Sequence, residues 1–159
     1  MRFVPLLLFI CILGVHAQPD ESENNEAIAR RFVEFWTLEH YKDLAQLFAE
    51  NCIYVETPSG NKFSGREAIQ NYASTTLNGM SDTHAEIITV VANDKMAVVE
   101  WIWSGTNSTG WPNIPASGKT FRLPVLTIME IENGMIIKNR DYWDWETFYN
   151  AVKGADPFE

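Results

Sequence analysis

Cysteine, basic charge and long apolar runs are scarce in this 159-residue chain, and each scarcity removes a class of protein. There are two cysteines, Cys11 and Cys52. Cys11 lies in the opening stretch MRFVPLLLFICILGVHAQ. Its one Arg, an apolar run too short for a membrane span and Val15-His16-Ala17 before Gln18 fit a secretory signal over residues 1–17. Cleavage leaves Cys52 alone, which excludes an internal disulfide and predicts a buried thiol. No second apolar run of spanning length follows, so the expectation is a secreted, extracellular protein with no membrane association after cleavage. Lys and Arg number 12 against 21 Asp and Glu, a formal charge of −9, which argues against nucleic acid or anionic membrane surfaces as partners. With three histidines, no His/Cys/Asp cluster at metal-ligand spacing, no Gly-rich phosphate loop and no Gly-x-Ser-x-Gly elbow, the chain predicts no metal and no nucleotide cofactor.

Aromatic surface is plentiful. Rings make up 13% of residues, with six tryptophans, so the interior or a pocket must house several of them. The length suits one domain large enough to enclose a cavity. A polar, acidic leader covers residues 18–25, the domain residues 26–153, and a tail 154–159. Ala27, Ile28, Phe32, Phe35 and Trp36 recur at helical spacing and predict a helix over 25–39; a shorter one follows from Tyr41 to Ala49. The period then changes to a short strand over 52–57, a Pro58-Ser59-Gly60-Asn61 turn, a return through Gly65, and a third helix closed by Asn78-Gly79. From Thr83 onward strands succeed one another over 83–92, 95–106, 119–131 and 135–143, with hairpin corners at Asn93-Asp94 and Asn133-Gly134. The order predicts an α+β domain in which a curved antiparallel sheet wraps N-terminal helices into a cone with a central pocket. Pro124 is expected to mark a bulge or edge that bends the sheet.

The chain is organised around Gly134 to Val152. If residues 135–143 are extended, Met135, Ile137, Asn139, Asp141 and Trp143 share one face, and Ile136, Lys138, Arg140 and Tyr142 the other. Asp141 therefore falls among apolar neighbours, where a carboxylate must find partners or take up a proton. Asp144 has a structural reading: it stands before Trp145-Glu146-Thr147-Phe148 as an N-cap, with Trp143 and Phe148 as a hydrophobic staple.

The run Val98-Val99-Glu100-Trp101-Ile102-Trp103-Ser104-Gly105-Thr106, the loop Ile114-Pro115-Ala116-Ser117-Gly118-Lys119, and Glu132-Asn133-Gly134 leading to Tyr142-Trp143-Asp144 carry a resemblance. Over residues 25–152 the chain resembles SnoaL-like domains of the nuclear transport factor two-like superfamily, which includes polyketide cyclases, ketosteroid isomerase and limonene epoxide hydrolase. The resemblance implies a cone fold that hosts many reactions. It aligns Tyr54, Glu56 and Asp141 with the water-holding and acidic positions of the epoxide hydrolases. Trp101 and Trp103 stand where those enzymes have Arg and a second Asp, so their proton relay cannot be built. Strand 119–131 lacks the histidine that assists the acid of the cyclases.

The function expected on this basis is cofactor-free acid/base chemistry (isomerisation, aldol-type cyclisation or dehydration) on a small apolar carbonyl compound. Asp141 is the base, Glu56 its acid partner and Tyr54 the oxyanion donor, with Trp36, Trp101, Trp103 and Trp143 binding substrate. The alternative is a secreted binding protein for a small apolar ligand. Three oppositions stand. Alternation within 52–57 sends Ile53 and Val55 to the core and Tyr54 and Glu56 outward, whereas the resemblance turns Tyr54 and Glu56 inward. Trp101 and Trp103 are core packing or ligand platforms, and Trp111 is a lid over the cone or an anchor. His84 and Glu86 share a strand face that reads as solvent-facing. Asn107-Ser108-Thr109 is a glycosylation sequon in an expected exposed loop, and a homodimer through the sheet is the expected assembly.

Overall fold

The structure, a computed structural model, describes residues 21–111 and 113–153; the signal reading of 1–17, the first part of the leader and the tail 154–159 lie outside the described residues. Helix α1 (Glu21–Glu34) starts earlier than the apolar spacing predicts and takes in residues assigned to the leader. Glu21 and Glu23 in its first turn complement the positive end of the helix dipole, and buried Asn25 donates from Nδ2 to the Asn93 carbonyl at 2.8 Å. Ile28, Ala29, Phe32 and Val33 face the sheet, whereas Ala27 is exposed. The helix ends before Phe35, and Trp36 is buried from the turn that follows. A 3-10 segment, Tyr41–Leu47, inserts Leu44 and Leu47.

Strand β1 (Phe48–Glu56) pairs with the short β2 (Asn61–Ser64), and α2 (Arg66–Asn78) buries Ile69, Ala73 and Leu77. The meander β3 (Met80–Ala92), β4 (Met96–Asn107), β5 (Thr120–Glu132) and β6 (Met135–Tyr142) follows, with α3 (Trp145–Val152) against β5. The six strands form one sheet in the order β2-β1-β6-β5-β4-β3, antiparallel except for the parallel β1–β6 pair. The β5–β6 turn has positive φ at Asn133 (52°) and Gly134 (73°), the geometry its sequence predicts. At the β3–β4 corner Asn93 Oδ1 accepts from the backbone N–H of Lys95 and Met96, both at 2.9 Å.

One local expectation is resolved between its alternatives and one is corrected. Pro124 does not bulge the ladder: β4 and β5 pair through Ile102↔Pro124 without a shift, and β6 reaches only Leu126. On its β6 side Pro124 is locally an edge, where a missing N–H costs no ladder bond. Register shifts lie instead within β3, between Ser81 and His84 and between Ile87 and Thr89, and in β6, where Glu130↔Lys138 is followed by Ile131↔Ile136. The shift in β6 leaves Ile137 as an extra residue and reverses the face parity. Ile136, Asn139 and Asp141 are consequently the buried set, while Met135 and Ile137 are half-exposed.

Candidate active site

The site lies where β1, β6 and β5 run side by side. Glu56 is registered with Asp141 across the parallel pair, and Asp141 with Thr127 across the antiparallel pair, so one transverse row carries two carboxylates and a hydroxyl on the inner face. Cys52, Tyr54 and Glu56 are buried and Ile53 and Val55 half-exposed, which is the orientation implied by resemblance and the reverse of simple apolar alternation. Glu56 and Asp141 each keep only 5% of their surface exposed.

Asp141 is held by three donors. Thr127 Oγ1 and Asn139 Nδ2 donate to its Oδ1 at 2.7 and 2.9 Å, and the Tyr54 hydroxyl donates to Oδ2. Trp101 Nε1 donates to Thr127 Oγ1 at 3.0 Å, which directs the threonine proton toward the carboxylate. Burial pushes the Asp141 pKa up to about 6; the hydrogen bonds from Tyr54, Thr127 and Asn139 oppose that rise and the charge of Glu56 adds to it. Burial first, and then the charge of Asp141, raise the Tyr54 pKa well above its ordinary value, so its hydroxyl remains a donor. Tyr72 is raised likewise, by burial and then by Glu56. Glu56 Oε2 accepts from the Ser59 hydroxyl and, at 3.3 Å, from Asn61 Nδ2.

These groups open onto a cavity of about 260 Å³, near the small end of ligand pockets, roughly 300–1,000 Å³. The cavity is lined by every residue assigned above to chemistry or substrate binding: Tyr54, Glu56 and Asp141 together with Trp36, Trp101, Trp103 and Trp143. Tyr72, Phe63 and Trp145 also line it and went unread in the sequence as wall residues, and Trp111, read as a lid or an anchor, lines it too. Thr127 and Asn139 were missed as well. The signal for Thr127 was present, since it is the only polar side chain in the buried row Phe121, Leu123, Val125, Thr127, Met129, Ile131. Trp103 Nε1 donates to the Trp36 carbonyl at 3.2 Å, and Trp111 Nε1 to the Thr76 carbonyl at 2.7 Å. Trp111 stacks on Phe148 at 4.3 Å and rests on Gly79, where a Cβ would stand 2.0 Å from its ring, so it is an anchored wall rather than a free lid. His84 and Glu86 are exposed, away from the cavity. Among the described residues no group of three or more His, Cys, Asp or Glu is placed to hold a metal ion.

The structure does not put Asn107 in an exposed loop, the placement on which the glycan reading depends. Asn107 ends β4 with 3% of its surface exposed, and its Nδ2, the atom a glycan would modify, donates to the carbonyls of Pro115 (2.9 Å) and Val152 (3.0 Å). Its backbone carbonyl accepts from Ser117 and Gly118, so this side chain clasps loop, sheet and α3 together. The sequon pattern records a sequence of three residues, not the burial that the following loop imposes.

Comparison with known proteins agrees with this geometry. A protein from a Jannaschia species assigned as a SnoaL-like polyketide cyclase matches with a TM-score of 0.78 at 16% identity, over 88% of this chain and 98% of its own. A Xanthomonas campestris protein assigned as a polyketide cyclase matches with a TM-score of 0.73 at 17% identity, over 84% of this chain and 100% of its own. A Catenulispora acidiphila protein of ketosteroid isomerase-like fold, solved in complex with trimethylamine, matches with a TM-score of 0.67 at 21% identity, over 79% and 91%. At such identities the likeness establishes the fold. No curated protein matches the chain. The profile of the SnoaL-like polyketide cyclases, however, matches residues 26–151, from α1 into α3, and the chain belongs to that family.

Proposed function

We propose that this protein is a secreted enzyme performing acid/base chemistry on a small carbonyl compound without metal or nucleotide cofactor: isomerisation, aldol-type cyclisation or dehydration. Asp141 is the base. Its carboxylate takes a proton from the carbon next to the carbonyl, and the C–H electron pair moves through that carbon to the carbonyl oxygen. The Tyr54 hydroxyl turns from Asp141 to the enolate oxygen as the acid becomes protonated and no longer needs that donor. Glu56 is the partner carboxyl on the same wall, and its charge favours retention of the proton by Asp141. Trp36, Trp101, Trp103 and Trp143 supply the apolar contact. The single observation that carries this reading is a carboxylate with a pKa near 6 inside an aromatic cavity, poised to take and return a proton near neutral pH.

The test is incorporation of solvent deuterium at carbon, followed by NMR across a panel of cyclic enones and 1,3-dicarbonyls. Wild type should exchange at least one of them, and Asp141→Asn should lower that rate by roughly 10²–10⁴-fold. Equal rates would remove Asp141 from the chemistry. A second reading, a secreted binding protein, is favoured by the Tyr54–Asp141 hydrogen bond, in which donor and acceptor already satisfy one another. It predicts ligand affinity without exchange. Either reading includes a homodimer through the outer sheet face, where Val91, Leu126 and Tyr142 are exposed. Analytical ultracentrifugation of wild type and Leu126→Glu tests it; a monomeric wild type would remove the dimer.

A further inference from the structure

We propose that the cavity selects a small organic cation of the N-methylated ammonium class, seated against the aromatic walls with its charge toward Asp141 and Glu56. The inference rests on the cavity being a small-molecule site, as above, but not on any acid/base step. Two buried carboxylates share one row, yet among the described residues neither forms an ion pair. The carboxylates that do are Glu26 with Arg30, Glu39 with His40, Glu50 with Arg66, Glu86 with Arg122, and Glu130 with Lys138 and Arg140. Among the described residues no Lys, Arg or His lines the cavity. An uncompensated buried charge is costly, and a bound cation relieves it.

The hydrogen bonds narrow the class. Asp141 Oδ1 accepts from Thr127 and Asn139, Asp141 Oδ2 from Tyr54, and Glu56 Oε2 from Ser59 and Asn61. The oxygens are thus largely supplied with donors while their charge is not compensated. A primary amine would have to compete for those acceptors; a methylated ammonium offers charge without demanding them. The walls suit its methyl groups. Trp36 meets Tyr72 at 71° and Trp103 at 69°, with centroids 5.8 and 6.0 Å apart, so ring faces are presented along perpendicular directions. Ring faces attract such cations through their quadrupoles, and the −9 charge of the chain draws cations toward it.

Choline chloride and its neutral isostere 3,3-dimethylbutan-1-ol, titrated against tryptophan fluorescence, test the charge alone. Wild type should bind choline about tenfold or more tightly than the alcohol. Glu56→Gln and Asp141→Asn should each reduce that preference, read as the ratio of choline to alcohol affinity in a variant whose near-UV circular dichroism matches wild type. If one variant fails to fold, the other carries the comparison. Equal binding of the two probes by wild type, no binding of choline, or an undiminished preference in the folded variants would overturn the proposal. Choline preference without deuterium exchange of any carbonyl compound would leave the cation site standing and remove the acid/base reading. Exchange of neutral carbonyls with no choline preference would do the reverse.

Discussion

Asp141 links the proposed chemistry to stability through a single carboxyl. Its pKa rises from 3.8 to about 6 on folding, so the folded state holds the proton more firmly than the unfolded chain does. The sign follows. Between about pH 4 and pH 6 the native state binds more protons, stability falls as pH rises through that window, and the full penalty, about 3 kcal/mol, is present above it. Urea unfolding of wild type and Asp141→Asn at pH 4 and pH 7 should therefore show wild type losing about 2 kcal/mol relative to the variant over that interval. A pH-independent difference would mean that Asp141 titrates alike in both states. If Asp141 is the base, kcat/KM for the exchanged carbonyl compound should rise through pH 6 as the carboxylate forms. The residue was singled out because an acid stood in an apolar alternation, yet the Ile137 bulge takes Met135 and Ile137 off its face, so the residue was right and the neighbours that pointed to it were not. Tyr54 and Glu56 were not legible from β1 alone, since Ile53 and Val55 offered the more apolar face. The family pattern turned that strand the right way.

At the level of elements, the joints matter more than the strands. Asn107 holds the 108–119 loop and the end of α3 through one amide, so Asn107→Ala leaves the Pro115 and Val152 carbonyls without that donor. Loss of about 2–3 kcal/mol in thermal or urea unfolding is expected, and protein made in a eukaryotic host should carry no glycan at Asn107 by mass spectrometry. Gly79→Ala drives a methyl into the Trp111 ring and should cost about 1–3 kcal/mol, with a shift in tryptophan fluorescence because that ring also faces the cavity. An unchanged spectrum would show that the ring does not report on that joint. Asp144 caps α3 as its sequence position indicates, Oδ1 accepting from the Thr147 N–H at 2.6 Å, with Trp143 and Phe148 5.7 Å apart as its staple. Turns and caps were readable because their chemistry is local. The Ile137 bulge was not, because it is a mismatch between two strands and neither strand contains it alone.

For the molecule as a whole, the periodicities predict a curved antiparallel meander around N-terminal helices, and the family pattern predicts the cone; both describe the structure. What periodicity could not supply is the strand order, because β1 joins β6 through pairs such as Glu56↔Asp141, distant in the chain, and does so in parallel. That pairing makes the carboxylate row. It also makes the last strand of the sheet an interior one, flanked by β1 and β5. As the chain is synthesised, β1 and β5 each wait with an open edge until residues 135–142 arrive to fill the gap, and open edges invite mispairing. A chain cut short before β6 lacks Asp141 and the strand that aligns Glu56 with Thr127, so incomplete product has no assembled site to act with. Position in the sheet thereby works as an assembly check: the carboxylate row exists only once residues 135–142 have been made and paired.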